Sequence, residues 1–174
     1  AESDEEFFQS LHDKINPYDS VLFTHGKNKQ TLKDISNAYK ELDIPNYRIY
    51  DFDILRDDDF NKALNTFIDD DVKNKYIDIR KELNEIFDKD SYQNGGIDKI
   101  TGDNLKNKVL GMLVDLKKSK IIILKQGCLE SCLFDRGVSY TKNKNNWFKD
   151  AINLINDSDK ELIESSYIYN WIFK

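Results

Sequence analysis

Tyr47-Arg48-Ile49-Tyr50-Asp51-Phe52-Asp53-Ile54-Leu55 decides the fold class of this chain. It reads as an apolar strand that delivers two carboxylates, one residue apart, at its C-terminal end. Alternate residues of a strand share a face, so Asp51 and Asp53 are expected to point the same way while Phe52 packs into the opposite layer. Two hard oxygen ligands at the mouth of a sheet suit Mg²⁺. Upstream, Val21-Leu22-Phe23-Thr24-His25 reads as a short buried strand closed by Gly26. Leu32, Ile35, Ala38, Tyr39 and Leu42 then form one apolar stripe of a helix over 31–42, which ends before Ile44-Pro45. Strand, helix and strand with such short joints make a βαβ crossover, so the spacing predicts an α/β fold with a parallel sheet and helices on its faces.

Working outward, Phe7, Phe8, Leu11 and Ile15 recur at helical spacing over 4–15, and Asn16-Pro17 stops that helix. After Leu55 the pattern turns polar and helical from about Asp57 to about Leu116, interrupted by Ser91-Tyr92-Gln93-Asn94-Gly95-Gly96. Phe60, Ala63, Leu64 and Phe67, then Tyr76, Ile79, Leu83 and Phe87, mark a helical insertion. Lys120-Ile121-Ile122-Ile123-Leu124-Lys125 reads as a buried strand ending at Gln126-Gly127, with Glu130 close behind. Open parallel sheets bind ligands at that edge, so Glu130 is expected to join Asp51 and Asp53. Two helical segments, about 145–156 and 159–173, complete what reads as a single domain over 1–174.

Composition narrows the function classes. A chain of 174 residues, 39% hydrophobic and 33% charged, can bury the core of one α/β domain. The formal net charge is -6, with 22 Lys and four Arg among the 26 basic residues, so nucleic-acid binding needs a local basic patch, a metal ion or a partner domain. No apolar run reaches membrane-spanning length and no leader is visible, which points to a soluble, cytoplasmic domain. Cys128 and Cys132 form no metal-ligand spacing with His12 or His25 and read as structural thiols.

Four stretches in order resemble the Toprim domain that follows an ABC-type ATPase domain in the overcoming-lysogenization-defect (OLD) family of nucleases. They are Glu2-Ser3-Asp4-Glu5-Glu6-Phe7-Phe8, Thr24-His25-Gly26-Lys27-Asn28-Lys29, Tyr50-Asp51-Phe52-Asp53-Ile54-Leu55 and Gly127-Cys128-Leu129-Glu130. They answer to the family's Glu-Gly-x-x-Asp, Gly-Lys, Asp-x-Asp and Gly-x-Leu-Glu segments. Aligning Asp4 with the first motif's Asp puts Ala1 at its Gly, so the motif's Glu and the first family strand are expected to precede residue 1. The resemblance implies a Toprim-like, Rossmann-like fold and an ATPase-coupled, Mg²⁺-dependent DNA endonuclease of the phage-defence or DNA-processing kind, with Mn²⁺ able to substitute. It implies catalytic roles for Asp51, Asp53 and Glu130, metal ligation by these and Asp4, and phosphate or DNA contacts from Lys27, Lys29, Lys142 or Lys144. DNA, the ATPase domain and a homo-oligomer formed through a longer protein are the implied partners, and the isolated domain is expected to be weak or inactive. Phosphodiester hydrolysis fits that chemistry, because carboxylate-held Mg²⁺ activates water and stabilises the leaving oxyanion.

Plainer readings stand beside these. Asp57-Asp58-Asp59 and Asp69-Asp70-Asp71 suit helix starts, Lys27 and Lys29 suit an exposed helix start, and His25 suits strand-end packing. The Gly26-Lys27 segment is no Walker A motif, since Val21 and Asn28 occupy positions that need Gly and Ser or Thr. Tyr167, Tyr169, Trp171 and Phe173 suit a core. Two rival functions remain: a catalytically degenerate Toprim-fold module that regulates or docks with an ATPase, and a receiver-like phosphoacceptor using Asp51 or Asp53 with Lys125.

Overall fold

The computed structural model describes residues 2–19, 21, 23, 29–56, 68 and 70–174. The strand expected over 21–25 falls mostly outside them, as do His25, Lys27 and the 57–67 part of the insertion. The protein is mixed α/β, mostly helical, with a small parallel two-stranded sheet. The chain forms two compact units: one contiguous, Asn28–Cys128, and one discontinuous, Ala1–Lys27 with Leu129–Lys174.

The contiguous unit holds the sheet. Helix α1 (Glu2–Ile15) belongs to the other unit, and α2 (Lys29–Glu41) leads here into β1 (Arg48–Tyr50). β1 pairs in parallel with β2 (Ile121–Ile123), Arg48 opposite Ile121 and Tyr50 opposite Ile123. A parallel pair needs a long crossover, and the expected helical insertion supplies it: α3 (Asp70–Ile86), the short α4 (Lys89–Gln93) and α5 (Asp103–Lys118). In α5, Val109, Met112, Leu113 and Leu116 recur at three- and four-residue steps, and this buried stripe packs on β2. Tyr76, Ile79 and Leu83 form the matching stripe of α3. The two helices are tied at one end by the Tyr76 hydroxyl donating to Asp115 Oδ2 at 2.5 Å and at the other by Lys108 on Glu82 at 2.8 Å.

The opening stretch departs from the strand expected of it. β1 stops at Tyr50, and Phe52–Arg56 winds into a 3₁₀ turn in which the Ile54 N–H donates to the Asp51 carbonyl at 3.2 Å. Phe52, Ile54 and Leu55 are all buried. A pleated strand cannot bury the consecutive Ile54 and Leu55 on one face, whereas a turn of three residues can bury positions 52, 54 and 55 together. Asp51 and Asp53 therefore do not share the face of a strand.

The discontinuous unit is helical and aromatic. α1 buries Phe7, Phe8, Leu11 and Ile15 and packs against α6 (Lys144–Asp157) and α7 (Lys160–Glu164). Phe7 meets Trp147 of α6 with ring centroids 5.2 Å apart. Phe8, Phe23, His12, Phe173 and Tyr169 form a chain of ring contacts along the same helix. The last expected helix, 159–173, is two helices, α7 and α8 (Tyr167–Phe173). Fully buried Ser166 caps α8 by accepting from the Tyr169 N–H at 3.3 Å, which starts a new helix where periodicity alone suggested continuity.

Candidate functional site

Asp4, Glu130 and Lys144 meet in the discontinuous unit. Glu130 lies in a 3₁₀ turn, Leu129–Ser131, whose three residues are all buried. Asp4 stands in the first turn of α1 and Lys144 at the first position of α6, whose cap is the Asn143 side chain accepting from Asn145 and Asn146 N–H. The α1–α6 pairing brings them together: Asp4 and Phe7 are one turn apart on α1, as Lys144 and Trp147 are on α6, so the tilted ring contact that joins the helices also aligns the charges. Lys144 Nζ lies 3.1 Å from Glu130 Oε1 and 3.6 Å from Asp4 Oδ1.

Glu130 is the unusual member. It is 4% exposed, and its Oε2 is buried with no hydrogen-bond partner. A buried carboxylate oxygen without a donor is costly, and native proteins keep few of them without a function or a bound group. The indole N–H of Trp147 is similarly buried and unpartnered. Nothing in the sequence marked that tryptophan as more than core.

Asp51 and Asp53 belong to the contiguous unit and flank the start of the 3₁₀ turn, both half-buried. Around them the C-terminal end of the sheet is closed by main chain. Phe52 N–H donates to Gly127 carbonyl at 2.8 Å, Gly95 N–H to Gln126 carbonyl at 2.9 Å, Ile97 N–H to Lys125 carbonyl at 2.8 Å, and Cys128 N–H to Gln93 carbonyl at 2.9 Å. Rings of Phe52, Phe87 and Tyr92 pack beneath the turn. Arg80 Nε donates to the Leu55 carbonyl at 3.1 Å, and the Tyr92 hydroxyl donates to Asn84 Oδ1 at 2.6 Å. Burial pulls the Lys125 ammonium at the end of β2 below the usual lysine value, as does nearby Lys117, with Asp98 opposing them. Burial likewise lowers the Arg48 guanidinium, with nearby Tyr50 pulling the other way.

Of the basic residues expected near phosphate, Lys144 reaches a carboxylate pair, Lys142 is exposed in the loop before α6, and Lys29 opens α2 with its side chain outside the described residues. Cys128 and Cys132 are not joined in a disulfide, and Cys132 is buried. Among the described residues, no three His, Cys, Asp or Glu side chains are grouped to hold a metal ion, and no helix is long and apolar enough to cross a membrane. The donor chemistry of the Asp4–Glu130 pair nevertheless fits Mg²⁺, which keeps most of its waters and needs only one or two carboxylates. The orphaned Glu130 Oε2 is the atom that such an ion would satisfy. Compared with protein-family models, with curated proteins and with solved structures, the chain matches none.

Proposed function

We propose that this chain is a Toprim-like domain of an ATPase-coupled, Mg²⁺-dependent DNA endonuclease. The observation that carries the reading is Glu130: a buried carboxylate with one oxygen unpartnered, set beside Asp4 and a lysine, at the two chain positions where the resemblance expects acidic ligands. In this reading Asp4 and Glu130 hold a divalent ion, Lys144 supplies positive charge for a phosphate, and Asp51 and Asp53 keep, within the contiguous unit, the acidic roles that the resemblance gives them. The bound ion would supply Lewis-acid activation of water at neutral pH. The chain's own part is to keep Glu130 dry and to bring Asp4 to it through the α1–α6 contact.

A second reading, a regulatory module of an ATPase, draws on the same cluster, because Lys144 already offers both carboxylates a counter-charge without any metal. Plasmid nicking separates the two. Supercoiled DNA incubated with the protein, joined to its ATPase domain, and Mg²⁺ is expected to be nicked, with at least a hundredfold loss for Glu130→Gln and for Asp51→Ala. Nicking that persists undiminished in both variants, or in excess chelator, removes the nuclease reading.

A further inference from the structure

We infer that Asn94 is a latent modification site: its side-chain amide is open to attack by the Gly95 main-chain nitrogen, and the folded loop withholds that deamidation until it opens. Asn94 is the one asparagine of the sequence that precedes a glycine. Glycine has no Cβ to crowd its own nitrogen, so that nitrogen reaches the preceding side chain more easily here than after any other asparagine. In the reaction the Gly95 nitrogen gives its proton to solvent and bonds to Asn94 Cγ. The Cγ–Nδ2 bond breaks, and ammonia leaves with a proton taken from solvent, which closes a five-membered succinimide. Water then opens the ring at either carbonyl. One opening yields aspartate, and the other yields isoaspartate, in which the main chain runs through the former side-chain carbons. Asn94 and Gly95 are half-buried, so water reaches both of them.

The folded loop opposes ring closure in two ways. First, the Gly95 N–H donates to the Gln126 carbonyl at 2.9 Å, so removing its proton costs a hydrogen bond. Second, Asn94 is extended, with ψ 100°, which in an L-residue turns the following nitrogen away from the side chain. Closing the ring therefore needs rotation about the Asn94 Cα–C bond. An antiparallel bridge resists that rotation: Asn94 lies opposite Gly127, flanked by the Gly95 bond to Gln126 and by the Cys128 N–H donating to the Gln93 carbonyl at 2.9 Å. The reaction thus runs from a locally opened form. Its isoaspartyl product keeps a record of the opening. It adds one main-chain carbon between the Gln93 carbonyl and the Gly95 N–H, whose bonds to Cys128 and Gln126 are spaced for a single ordinary residue, so the loop cannot reclose in register. The opposite side of that bridge, Gly127, also accepts from the Phe52 N–H at 2.8 Å, so the lesion falls beside the turn that carries Asp53.

Mass spectrometry of the tryptic peptide Asp90–Lys99 follows the reaction, because deamidation adds one mass unit and reversed-phase chromatography separates the aspartyl from the isoaspartyl form. At pH 8 and 37 °C the unmodified chain in guanidinium chloride is expected to convert within days, and the native protein at least tenfold more slowly. No conversion in denaturant, or native conversion within twofold of the denatured rate, overturns the protected site. The second arm starts from protein converted in denaturant, refolded and separated into its two products. Hydrogen exchange at the Gly95 and Cys128 amides is expected to be at least tenfold faster in the isoaspartyl form than in the aspartyl form, whose main chain has its ordinary length. Equal protection in the two forms would show that the loop recloses over the extra carbon, and would overturn the lasting record of its opening.

Discussion

Tyr92 shows how single side chains set the chemistry of the contiguous unit. Its ring is buried against Phe52 and Phe87, its hydroxyl donates to Asn84, and burial pushes its pKa up to about 12, with the nearby Arg80 and Arg56 pulling against that rise. Burial also raises Tyr76, helped by its hydrogen bond to Asp115. A tyrosine whose folded pKa exceeds its unfolded value of about 10 keeps its proton longer when folded, so above pH 10 the native state binds more protons than the unfolded one. Its contribution to stability is complete below about pH 10 and is lost as pH rises toward 12. For Tyr92 the loss amounts to about 2–3 kcal/mol, at 1.36 kcal/mol per pKa unit. Urea titrations between pH 8 and 11.5 are expected to show that decline, and Tyr92→Phe is expected to flatten it while costing about 1 kcal/mol at pH 8 for the lost hydrogen bond. An unaltered slope in Tyr92→Phe would assign the alkaline loss elsewhere. The residues of the candidate site were similarly legible one at a time: Asp4, Glu130 and Lys144 all stood out in the sequence. What joins them was not, because the Phe7–Trp147 ring contact that brings α1 to α6 connects positions 140 residues apart and leaves no local signal.

Elements followed the sequence where periodicity was long and failed where it was short. α1, α2 and α6 lie within a few residues of their expected bounds, and β2 sits inside its expected strand, because each carries an unambiguous apolar pattern. The stretch after Tyr50 did not comply. A run such as Phe52-Asp53-Ile54-Leu55 suits a strand or a tight turn equally well until burial decides, and here the Gly127 carbonyl and the Tyr92 ring decide for the turn. The loop facing it depends on glycine. Gly96 has φ +48°, and a Cβ there would lie 2.2 Å from the Lys125 carbonyl oxygen and 2.7 Å from the Gly127 nitrogen. Both neighbours are main chain, and the Lys125 carbonyl is already engaged by the Ile97 N–H, so neither can give way cheaply. Gly96→Ala is expected to destabilise the protein by roughly 2–4 kcal/mol, combining left-handed strain with a displaced loop. Gly111 is the contrast: it lies in α5, is exposed, and a Cβ there would meet nothing within 4 Å. Gly111→Ala is expected to stabilise by up to about 1 kcal/mol through helix propensity. Thermal melts of the pair should move in opposite directions, and a shared direction would mean that one of the two environments is misread.

At the scale of the molecule, the consequential feature is that one compact unit is continuous in sequence and the other is not. The unit Asn28–Cys128 contains both strands, their crossover and the Phe52–Phe87–Tyr92 cluster, so its core is made by its own residues. The unit formed by Ala1–Lys27 and Leu129–Lys174 can pack α1 on α6 only when both segments are present. This partition was hard to see in the sequence, because α1 reads as one more amphipathic helix and nothing local says that its partner lies at the far end of the chain. It also separates the acidic residues: Asp51 and Asp53 go with the contiguous unit, Asp4 and Glu130 with the other. A fragment spanning residues 28–128 is therefore expected to fold, keeping helical circular dichroism, a cooperative urea transition and the late tyrosine titration of Tyr76 and Tyr92. It retains Asp51 and Asp53 and lacks Asp4, Glu130 and Lys144, so it is expected to leave Mn²⁺ free at concentrations that saturate the intact chain. A fragment without a cooperative transition would show that the contiguous unit needs its flanking segments. A folded fragment that binds Mn²⁺ as tightly as the intact chain would transfer the metal from Glu130 to Asp51 and Asp53, and with it the role assigned to Lys144.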